Sequence, residues 1–135
     1  MDLDAYSYPH IAYYDFDNGD LKYAYWDMGG WHIWTLDNQG DSGSYCSLAL
    51  DSQDHAHISY HDVTNATLRY VYLEGLNWHY QRVDRTALGQ TGEYTSIALT
   101  ASDLPRIAYH FHYLSDGYLM YAMAYQGVFL PAVYK

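Results

Sequence analysis

The chain has 135 residues, half of them hydrophobic, and a formal net charge of −10 at pH 7. This length suits a single domain with a buried core. Six lysines and arginines are too few for a basic nucleic-acid-binding footprint, so nucleic acid is excluded as a partner. No apolar run is long enough for a membrane helix, and the single cysteine excludes an intrachain disulfide.

Eighteen tyrosines are the most unusual feature of the composition. Tyrosine is enriched in strands and at interfaces, where its ring is buried while its hydroxyl finds a partner. The composition therefore indicates a strand-rich fold with crowded sheet faces. It leaves open an aromatic surface that stacks on sugars or on partner proteins.

Sliding the chain along itself reveals three copies of one repeat, residues 1–47, 48–96 and 97–135. A shift of 47 residues aligns the first two copies with thirteen identities, among them His10/His57, Tyr23/Tyr70, Trp31/Trp78 and Asp37/Asp84. A shift of 49 recovers the third copy, in which two extra residues enter a turn and Phe129 stands where Trp31 and Trp78 stood. Such a period has to be sought before any other feature, because it decides the architecture.

Each copy predicts four short strands separated by turn residues. In the first copy, Asn18-Gly19 between two apolar runs predicts a hairpin. In the second copy the predicted strands are Leu48–Asp51, His57–Asp62, Leu68–Leu73 and Trp78–Val83. Four strands at a period in the forties predict an all-β fold, a β-propeller with three four-stranded antiparallel blades.

The repeat resembles a known family of blades. Ser47–Asp51, His57–Tyr60, Leu68–Tyr70 and Trp78 are similar to the tandem repeats of bacterial β-propeller proteins with sialidase-like (BNR-type) blades. The resemblance covers the whole chain and implies the fold, but propellers host many activities. The sialidase Asp-box is not present in proper form, and no three-arginine cluster is available, so sialidase activity is not implied.

Three blades are too few for a closed propeller of about four to eight blades. The outer faces of blades 1 and 3 would both be exposed and apolar, which marks an interface. We expect blade 3 of one copy to pack on blade 1 of another, so that two copies close a six-bladed ring. A filament built by the same contact and a fragment of a longer chain are the alternatives.

The predicted ligand-binding surface consists of the loops between second and third strands and the linkers between blades. These loops carry Asp, Asn and Tyr side chains suited to hydrogen bonding and stacking. The candidate residues are Asp15, Asp17, Asn18, Asp20, Asp62, Asn65, Tyr113 and Asp116. We expect no cofactor; Asp15, Asp17 and Asp20 offer three carboxylates to calcium, but they lack the spacing of an EF-hand and fit a solvated turn better.

Eight histidines raise a metal hypothesis. Those that recur once per blade, as His10 and His57 do, are expected to be architectural. The histidines on second strands of adjacent copies, namely His57, His61, His110 and His112, could hold a transition metal, although ordinary strand histidines are favoured. The recurring Asp4, Asp51, Asp37 and Asp84 at strand ends are interpreted as turn caps.

The sequence favours a non-catalytic binding or assembly module that recognises carbohydrate or protein through its blade loops. Extracellular or cell-surface location is expected, although Met1 is followed by Asp2 and Asp4, so no signal peptide is visible. One alternative is a structural subunit of an extracellular filament or surface layer. The other is a glycoside hydrolase or lyase-like propeller, which requires a convergent carboxylate pair or a metal.

Overall fold

The computed structural model describes residues 1–86, 88–125 and 127–134, with side chains up to residue 132. This part of the chain consists of strands and turns, and it contains no helix that could span a membrane. The strands are β1 (Asp2–Leu3), β2 (Pro9–Asp15), β3 (Asp20–Asp27), β4 (Gly30–Asp37), β5 (Ser42–Leu50), β6 (Ala56–Asp62), β7 (Thr67–Glu74), β8 (Asn77–Arg85), β9 (Gln90–Leu99), β10 (Pro105–Tyr113), β11 (Asp116–Tyr125) and β12 (Val128–Tyr134).

The strands form three four-stranded antiparallel sheets, β1–β4, β5–β8 and β9–β12, each in sequence order. We call these sheets blades 1, 2 and 3. The first strand of each following blade packs on the sheet before it, β5 on β2 and β3, and β9 on β6 and β7. The predicted all-β fold of three four-stranded blades is confirmed, and the three sheets do not close into a ring.

The first strands of blades 2 and 3 begin earlier than the sequence predicts. We expected a strand at Leu48–Asp51 after a linker, but β5 begins at Ser42 and its pairing with β6 shifts register twice before Ser47. Tyr45 lies at this irregularity with a φ of 53°, and the equivalent Tyr94 has a φ of 51°. A bulged strand loses the period-2 alternation on which strand prediction rests, so the segment looks like a loop in the sequence.

Two glycines set the distance between blades. A Cβ atom added to Gly43 would lie 2.6 Å from the Cα atom of Leu21, and one added to Gly92 would lie 2.7 Å from the Cα atom of Leu68. Both glycines have positive φ, 109° and 101°. Only glycine allows this approach of one backbone to another. Leu21 and Leu68 are completely buried as a result.

The hydrophobic core is divided between the two blade junctions. Leu21, Tyr23, Leu48, Ile58 and Tyr60 belong to the cluster between blades 1 and 2. The equivalent cluster between blades 2 and 3 contains Leu68, Tyr70, Ile97, Ile107 and Tyr109. Each blade therefore depends on its neighbour to bury its apolar face.

Two aspartates tie the blades together at the ends of β4 and β8, Asp37 buried and Asp84 half-buried. Asp37 Oδ2 accepts hydrogen bonds from the Tyr60 hydroxyl at 2.8 Å and from Ser42 Oγ at 3.1 Å. Asp84 Oδ2 accepts bonds from the Tyr109 hydroxyl at 2.7 Å and from Thr91 Oγ1 at 3.1 Å. The link from each aspartate to the next blade is absent from the sequence prediction.

The predicted turn caps are confirmed for Asp4, Asp37 and Asp51, whose carboxylates accept hydrogen bonds from backbone amides. Asp37 Oδ1 accepts the Gln39 amide. Asp4 Oδ1 accepts two amides within its turn, and Asp51 Oδ1 does the same at the equivalent turn of blade 2. Such bonds hold the turns that connect first to second strands.

The outer faces of blades 1 and 3 expose the side chains that the inner junctions bury. Leu119 of blade 3 is 59% exposed, whereas its repeat equivalents Leu21 and Leu68 are completely buried. On blade 1, Trp31 and Ile33 are 50% and 64% exposed. These are large apolar patches of the kind that mark an interaction surface.

Candidate functional site

An aromatic cleft opens between blades 1 and 2, at the end of the blades opposite the linkers. Its cavity volume is about 230 Å³. The wall is mostly apolar, with two polar side chains, His10 and Asp54. The aromatic and polar residues that line it are His10, Tyr23, Tyr25, Trp34, Asp54 and Trp78. A concave, mostly apolar site with a few fixed polar groups is typical of small-molecule binding.

The strand period places the aromatic rings of the cleft. Tyr23 and Tyr25 are two residues apart on β3 and therefore share a face of the sheet. Trp34 is the register partner of Tyr23 on β4. Blade 2 contributes Trp78, whose ring meets that of Tyr23 edge-to-face at 5.3 Å. The cleft is thus built where one blade's third strand meets the next blade's fourth strand.

A buried histidine–tyrosine pair forms the polar floor of the cleft. His10 Nδ1 lies 2.6 Å from the Tyr23 hydroxyl. Burial lowers the pKa of His10, although Asp4, 3.8 Å from Nε2, opposes that shift. Burial also raises the pKa of Tyr23, so both side chains are neutral at pH 7. The carboxylate of Asp4 favours the Nε2–H tautomer of His10, in which Nδ1 accepts a hydrogen bond from the Tyr23 hydroxyl.

A second copy of this arrangement lies between blades 2 and 3. His57 Nδ1 lies 2.5 Å from the Tyr70 hydroxyl, and the ring of Phe129 meets Tyr70 edge-to-face at 5.2 Å. Two wall positions differ from the first cleft. Phe129 replaces the tryptophan, and Gln81, the register partner of Tyr70, stands where Trp34 stands in blade 1. The residues around this histidine–tyrosine pair are therefore less aromatic than those of the first cleft.

The loop residues predicted to bind ligand lie at the other end of the blades, near the linkers. Each group belongs to the turn of its own blade. Asn18 Nδ2 donates to Asp15 Oδ2 at 2.9 Å, and Asn65 Nδ2 donates to Asp62 Oδ2 at the same distance. Tyr113 and Asp116 are register partners that close the turn between β10 and β11. The shared pattern indicates that these side chains stabilise turns.

Two of the three carboxylates proposed for calcium lie on either side of a lysine. Lys22 Nζ lies 3.5 Å from Asp15 Oδ2 and 3.8 Å from Asp20 Oδ2. A hydrogen bond from Asn18 lowers the pKa of Asp15, and Lys22 adds to the effect. Asp17, the third candidate, is exposed in the turn. The Lys22 ammonium group already neutralises the Asp15 and Asp20 carboxylates, which makes the turn less attractive to a second cation. Calcium binding at this turn stays a prediction.

The linker end also has a polar cavity of about 280 Å³. Asp62 and Asn65 line it together with Arg69, Arg82 and Arg85. The expectation that the chain offers no three-arginine cluster is therefore wrong, because strand pairing brings these three side chains to one cavity. Arg69 Nη1 lies 3.3 Å from Asp62 Oδ2 and 3.3 Å from Asp37 Oδ2. The guanidinium therefore links two blades and is held in place by both carboxylates. This cavity brings together two of the eight predicted loop residues.

Sequence reasoning missed the aromatic cleft because it assigned the ligand surface to loops. The residues of the cleft are instead strand residues that recur in the repeat. His10/His57, Tyr23/Tyr70 and Trp78/Phe129 were visible as equivalent positions. Their placement on the same end of neighbouring strands was the available signal. The predicted histidine group divides, with His57 bonded to Tyr70 at the junction between blades 2 and 3, and His110 and His112 next to Glu93 on the outer face of blade 3.

No protein-family model matches the chain, and no curated protein matches it. Among solved structures, the chain is similar to a fucose lectin from Kordia zhangzhouensis in complex with methyl-fucoside. The two share 19% sequence identity with a TM-score of 0.63, over 98% of this chain and 96% of the other. This likeness supports the propeller-like fold. The narrower resemblance to sialidase-type blades is not confirmed.

Proposed function

We propose that this chain is a carbohydrate-binding protein and that the cleft between blades 1 and 2 is its principal binding site. The observation that carries the proposal is the aromatic cleft itself, in which the rings of Tyr25, Trp34 and Trp78 surround a neutral, buried histidine–tyrosine pair. The similar fold of a fucose lectin supports the same ligand class. A net charge of −10 is compatible with a neutral sugar ligand.

The chemistry of a sugar ring matches the chemistry of the cleft. A pyranose has an apolar C–H face that packs on an aromatic ring, and hydroxyl groups that need fixed partners. Trp34 and Trp78 supply flat apolar walls, while the Asp54 carboxylate and the His10 imidazole can bond to hydroxyls. Leu73 and Leu76 line the same cavity and would contact the methyl group of a deoxysugar such as fucose.

Binding fits this cleft better than hydrolysis. A glycosidase of the usual kind holds two carboxyl groups on either side of the scissile bond. Asp54 is the one carboxylate among the residues that line the cavity, all of which lie in the described part of the chain. Its Oδ1 also accepts the amide of Ala5 at 3.1 Å, which fixes its position.

Isothermal titration with methyl-fucoside, preceded by a glycan array to rank other sugars, tests the proposal. Removing one aromatic wall with Trp78→Ala should weaken binding about tenfold or more, since such a ring contributes on the order of 1.5 kcal/mol. Phe16→Ala removes an aromatic ring that is 84% exposed at the linker end and should leave affinity unchanged. A blank array, or binding that Trp78→Ala leaves intact, would overturn the proposal.

The ring of blades is completed by a second copy of the chain. Trp78 packs on Tyr23 of the preceding blade, and Phe129 packs on Tyr70 in the same edge-to-face geometry, at 5.3 and 5.2 Å. The equivalent ring of blade 1 is Trp31, which is half exposed. Its repeat partner would be Tyr121 on blade 3 of another molecule. Two copies arranged in this way give six blades with twofold symmetry.

Light scattering coupled to size exclusion tests this completion. The wild-type chain should elute at twice 15.6 kDa. Trp31→Glu should shift it to the monomer, because a charge would be buried in an apolar contact. Trp31 is on the outer face, so the substitution leaves the internal junctions intact. A wild-type monomer, or a polydisperse filament, would contradict a closed pair. Extracellular or cell-surface location stays an expectation that fractionation of the native source can check.

A further inference from the structure

A cluster of two histidines and one glutamate lies on the outer face of blade 3, apart from both clefts. Glu93 Oε2 is 2.8 Å from His112 Nδ1 and 3.4 Å from His110 Nδ1. One ligand atom from each residue falls within 4.8 Å of the others. The glutamate side chain is 15% exposed, and the two histidine side chains are 36% and 39% exposed. In the single chain the group is therefore partly sheltered and can still be reached from solvent.

Local backbone geometry directs these three side chains to one point. His110 and His112 are two residues apart on β10 and share a face of the sheet. Glu93 is the register partner of His110 on β9, where the pairing shifts register on both sides of His110. Tyr94, at the bulge, has a φ of 51°. Bulges of this kind re-aim side chains and occur next to functional sites.

Gly117 makes room for the ring of His110. A Cβ atom at this position would lie 2.5 Å from His110 Nε2. The backbone of Gly117 does not adopt the positive φ that usually requires glycine, so the space for the ring is what glycine supplies here. Glycine at this position therefore accommodates the imidazole of His110, which supports a specific role for that side chain.

The repeat shows that the architecture does not require this cluster. At the equivalent positions of blade 2 stand Ser44, His61 and Val63, in place of Glu93, His110 and His112. Ser44 Oγ lies 3.5 Å from His61 Nδ1, so the same bulge is present without a carboxylate or a second histidine. Blade 3 thus adds two potential ligands, Glu93 and His112, to a fold position that functions without them.

We propose that Glu93, His110 and His112 form a binding site for a divalent transition-metal ion of the zinc type. Two imidazole nitrogens and one carboxylate oxygen are a common protein ligand set for zinc, and they leave a fourth position for water or an external ligand. Tetrahedral ligands at about 2.1 Å from the metal are about 3.4 Å apart. The observed spacing of the carboxylate oxygen and the two nitrogens needs only small side-chain movements to reach this geometry.

The donor types and the charge favour this ion over calcium. Imidazole nitrogen suits zinc, copper and nickel, whereas calcium takes six to eight oxygen ligands. An overall charge of −10 also favours approach of a cation. The site is apart from the cleft between blades 1 and 2, and it shares the outer face of blade 3 with the proposed contact to a second copy.

Titration of the purified full chain with Co²⁺, followed by visible absorption, tests the site, with Zn²⁺ displacement and Ca²⁺ as a comparison ion. We expect one Co²⁺ per chain, displaced by Zn²⁺ and unaffected by Ca²⁺. Glu93→Ser and His112→Val introduce the residues that blade 2 has at these positions, so the fold is expected to tolerate them. Each should abolish saturable binding.

A matched control removes another histidine–carboxylate pair, His79 and Glu74, whose Nε2 and Oε2 atoms are 3.4 Å apart. The double variant His79→Val, Glu74→Ser should bind Co²⁺ as the wild type does. Imidazole NMR signals of the wild-type chain give a second readout, since Zn²⁺ should shift His110 and His112 alone. No Co²⁺ binding, binding that survives His112→Val, or shifts at other histidines would overturn the proposal.

Discussion

The junction between blades 1 and 2 and the junction between blades 2 and 3 are two versions of one interface. Both contain a glycine packed on the backbone of a leucine, an aspartate bonded to a tyrosine, and a histidine–tyrosine pair. They differ in the cleft wall, where Trp34 and Trp78 of the first correspond to Gln81 and Phe129 of the second. Features that recur build the propeller, and features that change between copies are the candidates for ligand recognition.

A second difference concerns charge. Asp37 at the first junction lies 3.3 Å from the guanidinium of Arg69. The repeat equivalent of Arg69 in blade 3 is Met120, so the second junction holds Asp84 without that cation. The first junction is therefore the more polar one at the linker end, although it is the more aromatic one at the cleft end.

The largest expected effect is common to both junctions. Gly43→Ala and Gly92→Ala should each reduce the free energy of unfolding by about 3 kcal/mol or more, because the new Cβ atom overlaps backbone of the preceding blade at positive φ. Gly30→Ala is the control, with a φ of 116° and nothing within 4 Å of its Cβ position. Urea unfolding measures all three. A cost at Gly43 no greater than at Gly30 would show that the close approach is unimportant.

Removing the charge of the junction aspartates, Asp37 and Asp84, should distinguish the junctions. Asp37→Asn should cost about 3 kcal/mol and Asp84→Asn about 2 kcal/mol, because Asp37 also neutralises Arg69. A double-mutant cycle with Arg69→Met, which introduces the blade 3 residue, isolates the ion pair by urea unfolding. Equal costs, with no coupling in the cycle, would mean that Arg69 does not strengthen the first junction.

Exchanging cleft walls should exchange sugar affinity. Trp34→Gln should weaken methyl-fucoside binding about tenfold at the cleft, and Gln81→Trp together with Phe129→Trp should strengthen binding at the junction between blades 2 and 3 by a similar factor. Titration calorimetry gives both affinities and the number of sites per chain. If methyl-fucoside binds the junction between blades 2 and 3 of the wild type as tightly as it binds the cleft, the tryptophans of the cleft wall do not control affinity.

The buried histidines at the two blade junctions should make stability depend on pH in the same direction. Burial lowers the pKa of His10, His57 and His61 in the folded chain below the usual value of about 6.5. As the pH falls through about 6.5, the unfolded chain therefore binds more protons than the folded chain, so the free energy of unfolding decreases with falling pH. His10→Gln and His57→Gln should each flatten this dependence in urea unfolding. An unchanged slope for either variant would contradict the assignment.

The repeat and its turn chemistry predicted most of the fold, because each blade has the same packing problem and solves it with the same residues. Asp4 and Asp51 were recognised as caps from their positions after short strands, and the structure confirms them. The first half of β5 was missed, because a bulge at Tyr45 breaks the alternation that identifies strands.

The candidate sites were harder to predict, because they depend on which strand ends meet across a junction. Trp78 is 55 residues from Tyr23 in the chain, and only the packing of one blade on the next brings their rings together. Glu93 lay in a segment read as a linker, so its pairing with His110 could not be anticipated. The loop candidates were found by composition, which detects turn formers and ligand-binding residues equally well.

The contact of Gly43 with Leu21, and its copy at Gly92 and Leu68, has a consequence for how such chains grow. Each blade presents a leucine on its third strand, against which the glycine of the next blade packs. Leu119 is the exposed equivalent at the end of blade 3. A tandem duplication of one repeat would therefore add a blade that fits at once, without a new interface having to evolve. The same modularity makes the chain a natural starting point for building propellers of chosen blade number from a single gene segment.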